Sequence, residues 1–319
     1  MAKVLVTGGA GFIGSNLTEA LLKQGHTVRV LDNFSTGKRE NLTFDGRDVL
    51  LEVIEGDITQ YEVCQSAMKG VEFVFHEAAL PSVQQSVEDP LTSNRVNVEG
   101  TLNILLAAKE AGVKKVVYAS SCAIYGDDPA LPKREDMTPK PLSPYALQKY
   151  IGERYCRLFS QLYHLETISL RYFNVFGPKQ SPKSVYAAVI PLFIDALVRG
   201  CSPVVFGDGE QSRDFVYIED IIQANLLALS SQHSYGDVIN VAGGRSFSLN
   251  QLLTILGEVL GSKVLPDYQG PRAGDIRHSL GDVQRGKELI HYAPQVDIKT
   301  GLEKTVAYFM TQRKDARKR

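Results

Sequence analysis

A tyrosine and a lysine four positions apart, Tyr145 and Lys149, could together perform proton transfer. They lie in a run that predicts a helix, with Ser143 as its N-cap and Pro144 as its first residue. Residues four apart share one face of a helix, so both side chains can reach the same reacting group. A tyrosine of ordinary pKa, near ~10, is a poor base at neutral pH, but a neighbouring ammonium group favours its phenolate. The spacing therefore predicts that Tyr145 acts as a general base supported by Lys149.

A second chemical signal is the glycine-rich run from Gly8 to Gly14. It lies between a predicted strand, Lys3–Thr7, and a predicted helix that begins at Phe12. Glycine permits a tight turn and lets a pyrophosphate approach the N–H groups at the start of the helix. Asp32 ends the next predicted strand, where a carboxylate can bind ribose hydroxyls and would repel a 2′-phosphate. The run therefore predicts a dinucleotide site that prefers NAD to NADP.

Other polar residues follow predicted strands. Ser120 and Ser121 come after the strand Lys115–Ala119, and Asp57 comes after the third strand. The carboxyl ends of parallel strands face the ligand crevice, so a serine hydroxyl there can bond the reacting oxygen. Asp57 would lie near the adenine by the same reasoning. The alternative for each residue is a polar group that only caps the end of a strand.

The order of the elements predicts how these groups are held. Predicted strands cover Lys3–Thr7, Thr27–Leu31, Leu50–Glu55, Phe73–His76, Lys115–Ala119 and Glu166–Arg171, and predicted helices cover Phe12–Gln24, Tyr61–Met68, Pro90–Ala111 and Pro144–Tyr163. Such alternation predicts an α/β fold, a Rossmann-type doubly wound parallel sheet covered on both faces.

The second half of the chain is less regular. It predicts helices over Ala188–Arg199, Glu219–Ser230, Ser248–Leu260 and Gly301–Arg313, strands over Val204–Phe206, Asp214–Tyr217 and Val238–Val241, and a loop over 177–186. These segments favour a smaller, interleaved C-terminal substrate-binding lobe. We place the dinucleotide-binding domain at residues 1–178 plus 216–246 and the lobe at 179–215 plus 247–319.

Composition restricts the class of protein. The 319 residues carry a net charge of −1, which gives no electrostatic footprint for nucleic acid. The four cysteines show no close-pair spacing and the six histidines form no ligand pair, so we expect reduced thiols and no metal site. No apolar run approaches the roughly 20 residues that span a bilayer, and glycine interrupts the apolar start, so no signal peptide is expected. A cytoplasmic protein without a membrane partner is the expectation.

The chain resembles the extended short-chain dehydrogenase/reductase family, and within it the sugar-nucleotide C4-epimerases. The likeness covers nearly the whole chain. The matching stretches are Thr7–Gly14, His76–Ala79, Asn97–Thr101, Ser120–Gly126, Tyr145–Lys149, Leu170–Pro178, Ser212–Asp220 and Arg272–Ser279. The resemblance implies tightly bound NAD and a UDP-sugar substrate. It also implies a homodimer formed through the predicted helices Pro90–Ala111 and Pro144–Tyr163, where Leu102, Leu105 and Leu106 could serve either the dimer or the sheet.

The resemblance also implies the site residues. For the cofactor they are Gly8, Gly11, Phe12, Ile13, Gly14, Asp32, Asn33, Asp57, Ile58, Ala78, Asn97, Tyr145 and Lys149. For the substrate they are Ser82, Ser120, Ser121, Tyr145, Asn174, Val189, Arg213, Arg272, Asp275 and Ser279. The family's strand-end catalytic serine falls on Ser121, with Ser120 beside it. Its diphosphate-clamping arginines fall on Arg213 and Arg272, which suits paired charge-assisted bonds.

The implied reaction is redox-neutral. Tyr145 removes the proton of the sugar O4 while C4 gives a hydride to NAD, the 4-keto sugar turns, and the hydride returns to the opposite face. Related dehydratases and decarboxylases carry an acid just after the strand end. Here that stretch is Ser121-Cys122-Ala123, so those reactions are disfavoured.

The family's sugar-pocket gate falls on Ser279. Its small side chain leaves space for a 2-N-acetyl group. The run Tyr186–Pro191 also resembles that of epimerases that favour N-acetylated sugars. We therefore expect turnover of UDP-GlcNAc/UDP-GalNAc as well as UDP-Glc/UDP-Gal. The alternative is that Ser279 packs against other residues and says nothing about size. A UDP-glucose-only epimerase, a UDP-uronic acid 4-epimerase and a non-catalytic NAD-binding regulator are the other functions considered. The regulator is disfavoured because Tyr145, Lys149 and Ser121 are all present.

Overall fold

A parallel sheet of seven strands forms the centre of the computed structural model, which describes residues 1–44, 46, 48–182, 188–271 and 276–318. Its first half contains β1 (Lys3–Thr7), α1 (Phe12–Lys23), β2 (Thr27–Asp32), β3 (Leu51–Glu55), α2 (Tyr61–Ala67), β4 (Phe73–His76), α3 (Val83–Glu88), α4 (Pro90–Asn94), α5 (Gly100–Glu110), β5 (Lys115–Ser121), α6 (Pro144–Tyr163) and β6 (Glu166–Tyr172). The six strands and four helices that the sequence predicts for this half are all present in these elements.

The second half supplies the last sheet strand and the smaller elements. They are β7 (Asn174–Phe176), α7 (Val189–Val198), β8 (Val204–Phe206), β9 (Ser212–Tyr217), α8 (Ile218–Ser230), β10 (Tyr235–Val241), β11 (Ser246–Ser248), α9 (Leu249–Leu260), β12 (Asp267–Gln269), α10 (Gln284–Ile290) and α11 (Ile298–Lys318). Sequence patterns missed α3, β7, β11, β12 and α10, because elements of three to seven residues carry too little periodicity.

The strand order of the main sheet is β10-β6-β5-β4-β1-β2-β3, and every pair in it is parallel. The chain builds outward from β1 to β3, then returns to the other side of β1 and builds outward again from β4. This reversal between β1 and β4 is a topological switch point, where the carboxyl ends of the strands leave a crevice for a ligand. The order confirms the predicted doubly wound Rossmann-type fold.

Both faces of the sheet are buried, as alternate residues of β1 show. Val4 and Val6 pack with Leu17 of α1, whereas Leu5 packs on the other face with Ile104 of α5. Successive side chains of a strand point to opposite faces, so helices must cover both. Each such fully buried aliphatic side chain contributes about 1.5–3 kcal/mol of transfer free energy.

The predicted helix over 90–111 is divided in the structure. A π-helical turn over Arg95–Glu99 separates α4 from α5, so the extra residue changes which side chains face inward. Leu105 is buried in the core under the sheet, whereas Leu102 and Leu106 are partly buried against the same cluster. The structure therefore assigns Leu105 to the sheet, which the sequence left open.

The second half forms a three-stranded sheet, β11-β9-β7, and a two-stranded pair, β12-β8. Strand β9 crosses the predicted domain boundary at residues 215/216. It pairs with β7 on one side and β11 on the other. The predicted division of the chain stays a prediction. No helix among the described residues is both long and apolar enough to cross a membrane.

Candidate active site

The glycine-rich turn lies at the switch point, between β1 and α1. Gly8 has a φ of +67°, and a Cβ built on it would lie 2.8 Å from the Cα of Ala78, which follows β4. A Cβ on Gly14 would overlap the carbonyl oxygen of Gly8. Gly11 is the N-cap of α1 and has no side chain to occupy the first N–H groups, which remain available to an anion. Phe12 and Ile13 begin the helix, so the turn has the shape that a pyrophosphate requires.

The carboxylate of Asp32 joins this turn to the end of β2. Its Oδ2 accepts the N–H of Ala10 at 2.9 Å, and its Oδ1 accepts the N–H of Phe34 at 2.8 Å. The side chain is only 7% exposed. Asp32 thus holds the glycine turn against the loop that follows β2. Its predicted contact with ribose hydroxyls stays a proposal.

Two further expected cofactor residues contact each other. The Asn33 amide donates to Asp57 Oδ2 at 2.9 Å, and the Thr59 N–H donates to Oδ1 at 2.8 Å. Burial raises the pKa of Asp57, but the bonds from Thr59 and Asn33 outweigh it and hold the pKa below its usual value. Ile58 is buried against Gly100, so its side chain belongs to the core and only its backbone remains for the adenine.

Tyr145 and Ser121 meet at the carboxyl end of β5. The N–H of Tyr145 donates to Ser86 Oγ at 3.1 Å, which fixes the start of α6 against α3. Burial raises the pKa of Tyr145 to about 12, and a hydrogen bond with the Ser121 side chain opposes that rise. The phenol is thus neutral in the protein alone. A further positive charge is needed before it can serve as a base near pH 7.

Lys149 lies one turn along the same helix and is 4% exposed. Its Nζ donates to the carbonyl oxygen of Ala119 at 2.7 Å and lies 6.0 Å from the centroid of the Tyr145 ring. Burial lowers the pKa of Lys149 to about 8, while the negative charge of Glu77 opposes the drop. At neutral pH the ammonium form still prevails. That its charge favours the phenolate of Tyr145 stays a prediction.

The two strand-end serines have different partners. Ser120 Oγ donates to Glu153 Oε1 at 2.6 Å, and Glu153 forms a buried, two-bond ion pair with Arg171 at 2.8 Å. Neighbouring residues of a strand point to opposite faces, so only Ser121 turns towards Tyr145. Ser120 is 3% exposed. The Ser120 hydroxyl thus donates to Glu153, and the expectation that Ser120 contacts the substrate stays a prediction.

Asn97, in the π-helical turn, supports the loop after β4. Its Oδ1 accepts the N–H of Leu80 at 2.8 Å, and its Nδ2 donates to the Leu80 carbonyl at 3.1 Å and to Gln148 Oε1 at 2.8 Å. The side chain is 1% exposed and its amide is satisfied within the protein. Asn97 therefore positions the loop that carries Ala78 and Ser82. Ser82 itself caps α3, accepting the N–H of Gln85 at 3.0 Å.

A buried histidine and a partly buried carboxyl that sequence reasoning did not single out also lie at this end of the sheet. His76 contacts Thr7 Oγ1 through Nδ1 at 2.7 Å and Thr101 Oγ1 through Nε2 at 3.0 Å. Burial lowers the pKa of His76 to about 3, so it is neutral and ties β1 to β4 and α5. The Tyr172 hydroxyl donates to Glu77 Oε1 at 2.8 Å, and burial raises the pKa of Glu77 to about 7. In the sequence, only the family motif His76–Ala79 indicated that His76 and Glu77 are important.

The expected substrate residues Asn174, Val189 and Arg213 line one cavity of about 280 Å³. They come from three separate elements, β7, α7 and β9. The cavity also has aromatic and aliphatic walls, among them Phe206 and Phe215. An apolar pocket whose described lining also carries the guanidinium of Arg213 and the amides of Asn174, Gln180 and Gln211 suits a planar base joined to an anion.

Cys122 follows Ser121 directly. Its thiol lies within electrostatic range of Arg213, Asp214 and Tyr145. Burial raises the pKa of the Cys122 thiol to about 12, so it is uncharged. The candidate base and Arg213, which lines the cavity, thus both lie within electrostatic range of the Cys122 thiol.

Ser279 is half-buried and held through its backbone. Its N–H donates to the Ser212 carbonyl at 3.0 Å, and its carbonyl accepts the Ser246 hydroxyl at 3.1 Å. Arg272 and Asp275 lie outside the described residues, as do 186–187 of the run Tyr186–Pro191. Among the described residues, no three side chains of the metal-binding types come together as ligands.

Comparison with known proteins shows the family of this site. The NAD dependent epimerase/dehydratase family matches residues 4–242. A UDP-glucose 4-epimerase of Mycolicibacterium smegmatis is 39% identical over 309 residues, which cover 96% of this chain and 98% of that protein. The chain belongs to the NAD-dependent epimerase/dehydratase family, which confirms the resemblance seen in the motifs.

Solved structures agree with this assignment. A UDP-N-acetylglucosamine 4-epimerase from Methanobrevibacter ruminantium, in complex with UDP-N-acetylmuramic acid, is 43% identical with a TM-score of 0.93, covering 98% of this chain and 99% of that chain. The UDP-glucose 4-epimerase of Thermus thermophilus, in complex with NAD, is 36% identical with a TM-score of 0.88, covering 97% and 99%. NAD is the cofactor of this family, and the glycine cradle fits it: the space that Cβ atoms on Gly8 and Gly14 would need is taken by backbone.

Proposed function

We propose that this protein is an isomerase that interconverts UDP-hexoses by reversible epimerisation at C4, with NAD held throughout the cycle. The observation that carries the proposal is that Tyr145, Ser121 and Lys149 come together at the carboxyl end of β5: the Ser121 side chain acts on the phenol of Tyr145, and the Lys149 ammonium lies 6.0 Å from the centroid of its ring. We propose the cavity of Asn174, Val189 and Arg213 as the site for the nucleotide, because Arg213 and Tyr145 both lie within electrostatic range of Cys122. The relatives described above, all 4-epimerases of UDP-sugars, support the same reaction.

Each residue has a distinct role in the proposed mechanism. Tyr145 takes the proton from the sugar O4 as C4 is oxidised, and returns it after the 4-keto sugar has turned. Ser121 donates a hydrogen bond to O4, and Lys149 keeps Tyr145 acidic. Arg213 and Asn174 hold the nucleoside diphosphate while the sugar turns, so binding energy remote from C4 supports the chemistry. Bound NAD supplies the hydride acceptor and donor, and its positively charged ring adds the charge that the phenol needs.

The proposal is tested by incubating purified protein with a panel of UDP-sugars and no added cofactor. We expect each accepted sugar to equilibrate with its C4 epimer, and denatured protein to release about one NAD(H) per chain. A UDP-uronic acid 4-epimerase would turn over only the acidic members of the panel. Protein that releases no NAD(H) and needs a second substrate to recycle the cofactor would be an ordinary dehydrogenase instead.

We also propose that the enzyme accepts UDP-GlcNAc and UDP-GalNAc in addition to UDP-Glc and UDP-Gal, because of the small side chain at Ser279. Ser279→Tyr is expected to lower kcat/KM for the N-acetylated sugars about 100-fold or more, since a phenol ring would fill the space of the acetyl group. The glucose and galactose forms should change by less than about threefold. Ser279→Ala is the size-matched control and should leave both classes unchanged. Loss of both classes, or of neither, would contradict the gate.

A second copy of this chain is the proposed partner. Leu147, Leu158 and Leu162 lie 42–63% exposed along one face of α6, with Leu91 of α4 exposed at 80% and Val87 of α3 at 61%. Exposed aliphatic side chains on neighbouring helices suit a helical dimer interface. Leu158→Glu is expected to convert a dimer to a monomer in light scattering. Leu265→Glu, at an exposed leucine elsewhere, is the control and should leave the mass unchanged. A Leu158→Glu protein with the wild-type mass would rule out this face.

A further inference from the structure

The carboxylate of Asp214 joins three separate segments of the chain. It lies in β9 immediately after Arg213 and is completely buried. Oδ1 accepts the N–H of Gly243 at 2.7 Å, and Oδ2 accepts the N–H groups of Gly244 at 3.1 Å and Gly281 at 3.0 Å. Two of these glycines are packed too closely for any side chain. A Cβ on Gly243 would lie 2.6 Å from the Phe215 carbonyl oxygen, and one on Gly281 would lie 2.5 Å from Ala242.

One of the three segments carries the predicted sugar gate. We call residues 276–282 the strap. Ser279 of the strap donates its N–H to the Ser212 carbonyl, and the Ser212 N–H donates to the Arg277 carbonyl, both at 3.0 Å. At its far end, the Lys133 N–H donates to the Leu280 carbonyl at 2.8 Å. Gly281, two residues beyond Ser279, is the point where the strap is bonded to Asp214.

Asp214 therefore lies between two parts of the proposed substrate site. Arg213, the preceding residue of β9, lines the nucleotide cavity, and Asn174 of that cavity donates to the Asp214 backbone carbonyl at 3.2 Å. Ser279 lies on the strap that the Asp214 side chain holds. A buried carboxylate that accepts backbone N–H groups forms strong, directional bonds. Together with the backbone bonds between the strap and Ser212, this carboxylate sets the distance between the cation at the nucleotide and the wall of the sugar pocket.

We infer that Asp214 is a positioning residue for substrate recognition, which keeps the strap and its Ser279 in register with Arg213. This inference rests on the proposed function of the site. It assigns Asp214 to UDP-sugar binding and not to proton transfer or to NAD binding. The predicted consequence is a loss of substrate affinity at nearly constant turnover, because the same contacts hold in the ground state and the transition state.

The variant Asp214→Asn tests the inference. An amide presents an NH₂ group in place of one oxygen, so it cannot accept all three N–H groups. We expect KM for UDP-GlcNAc to rise at least about tenfold with kcat within about threefold, the signature of lost uniform binding. Titration calorimetry should show a smaller loss of affinity for UDP than for UDP-GlcNAc, since UDP does not reach the sugar wall. Bound NAD(H) should be unchanged.

Asp220→Asn is the matched control. Asp220 is also buried, at 2% exposed, and accepts the N–H groups of Gln295 at 2.8 Å and Val296 at 3.2 Å, away from the strap and the nucleotide cavity. It should lower the melting temperature without changing KM. Equal KM values for Asp214→Asn and wild type would overturn the inference, as would a fall in kcat at constant KM, or an equal rise in KM in both variants.

A milder variant covers the case in which Asp214→Asn does not fold. Ser246→Ala removes only the bond from the Ser246 hydroxyl to the Ser279 carbonyl. It should raise KM for UDP-GlcNAc about threefold, in the same direction as Asp214→Asn. An unchanged KM would overturn the inference. Failure of the proposed function is read separately, from wild-type protein that turns over no UDP-sugar. In that case the UDP and UDP-GlcNAc titrations of wild type and variants still test the positioning role of Asp214. Wild-type protein that binds neither ligand would overturn both the proposed function and this inference.

Discussion

Replacing Tyr145 with Phe is expected to lower kcat about 10²- to 10⁴-fold, the range that a lost general acid–base group accounts for. The substitution removes one hydroxyl. That hydroxyl lies close to the Ser121 side chain, while the backbone of Tyr145 stays fixed through its N–H bond to Ser86. The ring therefore keeps its place. KM for the UDP-sugar and the bound NAD(H) should stay within about threefold of wild type.

The measurement is steady-state epimerisation at saturating UDP-sugar, with cofactor content determined on the same preparation. Tyr155→Phe, at a partly buried tyrosine of the same helix α6, is the matched control and should keep nearly full activity. A Tyr145→Phe protein with wild-type kcat would refute the assigned base. A protein that lost its NAD(H) would show instead that the hydroxyl serves cofactor binding.

Gly14→Ala is expected to abolish cofactor retention. A Cβ at this position would overlap the Gly8 carbonyl oxygen and lie 2.8 Å from the Gly9 Cα, so only a shift of the backbone could make space. That backbone is the turn that we propose holds the pyrophosphate of NAD. We expect released NAD(H) to fall below about a tenth of the wild-type amount, activity to fall with it, and the free energy of unfolding to drop by about 1–3 kcal/mol.

The other glycines provide a graded series for the same measurement. Gly8→Ala meets the Ala78 Cα at 2.8 Å and also has a positive φ, so its effect should approach that of Gly14→Ala. Gly11→Ala meets only the Gly8 carbonyl oxygen, at 3.1 Å, and should retain more cofactor. Gly270→Ala is the control, because it is exposed and a Cβ there meets nothing within 4 Å. Full NAD(H) retention in Gly14→Ala would contradict the role of the turn.

The parts of the site that the sequence predicts well are local ones. The glycine turn spans seven residues between a strand and a helix, and its geometry follows from backbone sterics alone. The Tyr145–Lys149 pair is set by the repeat of a single helix, which Ser143 and Pro144 begin. The order of β1 to β6 and the parallel sheet could likewise be predicted, because strand–helix alternation leaves few other arrangements.

Other assignments needed contacts between distant residues. Ser120 and Ser121 are equivalent in the sequence, and only the buried Glu153, 33 residues away, shows that Ser120 turns inward. Glu77 meets Tyr172 across 95 residues. In the sequence, Asp214 is only an acidic residue within a strand. The structure shows that its carboxylate accepts the N–H of Gly281, 67 residues later. Short elements such as β7 and β11 exist because β9 pairs with them, which no local pattern reveals.

The sequence by itself thus determined where the chemistry of this protein is predicted: a dinucleotide turn, a tyrosine proposed as the base with its lysine, and a strand-end hydroxyl. Each depends on residues close together in the chain, where covalent geometry and the helix repeat limit the possible arrangements. Only the tertiary structure decided which serine faces Tyr145, how Arg213 and Asn174 come to line one cavity, and what holds the strap. Those choices depend on which buried polar groups find partners, and a buried polar group takes its partner from wherever in the chain the fold brings one.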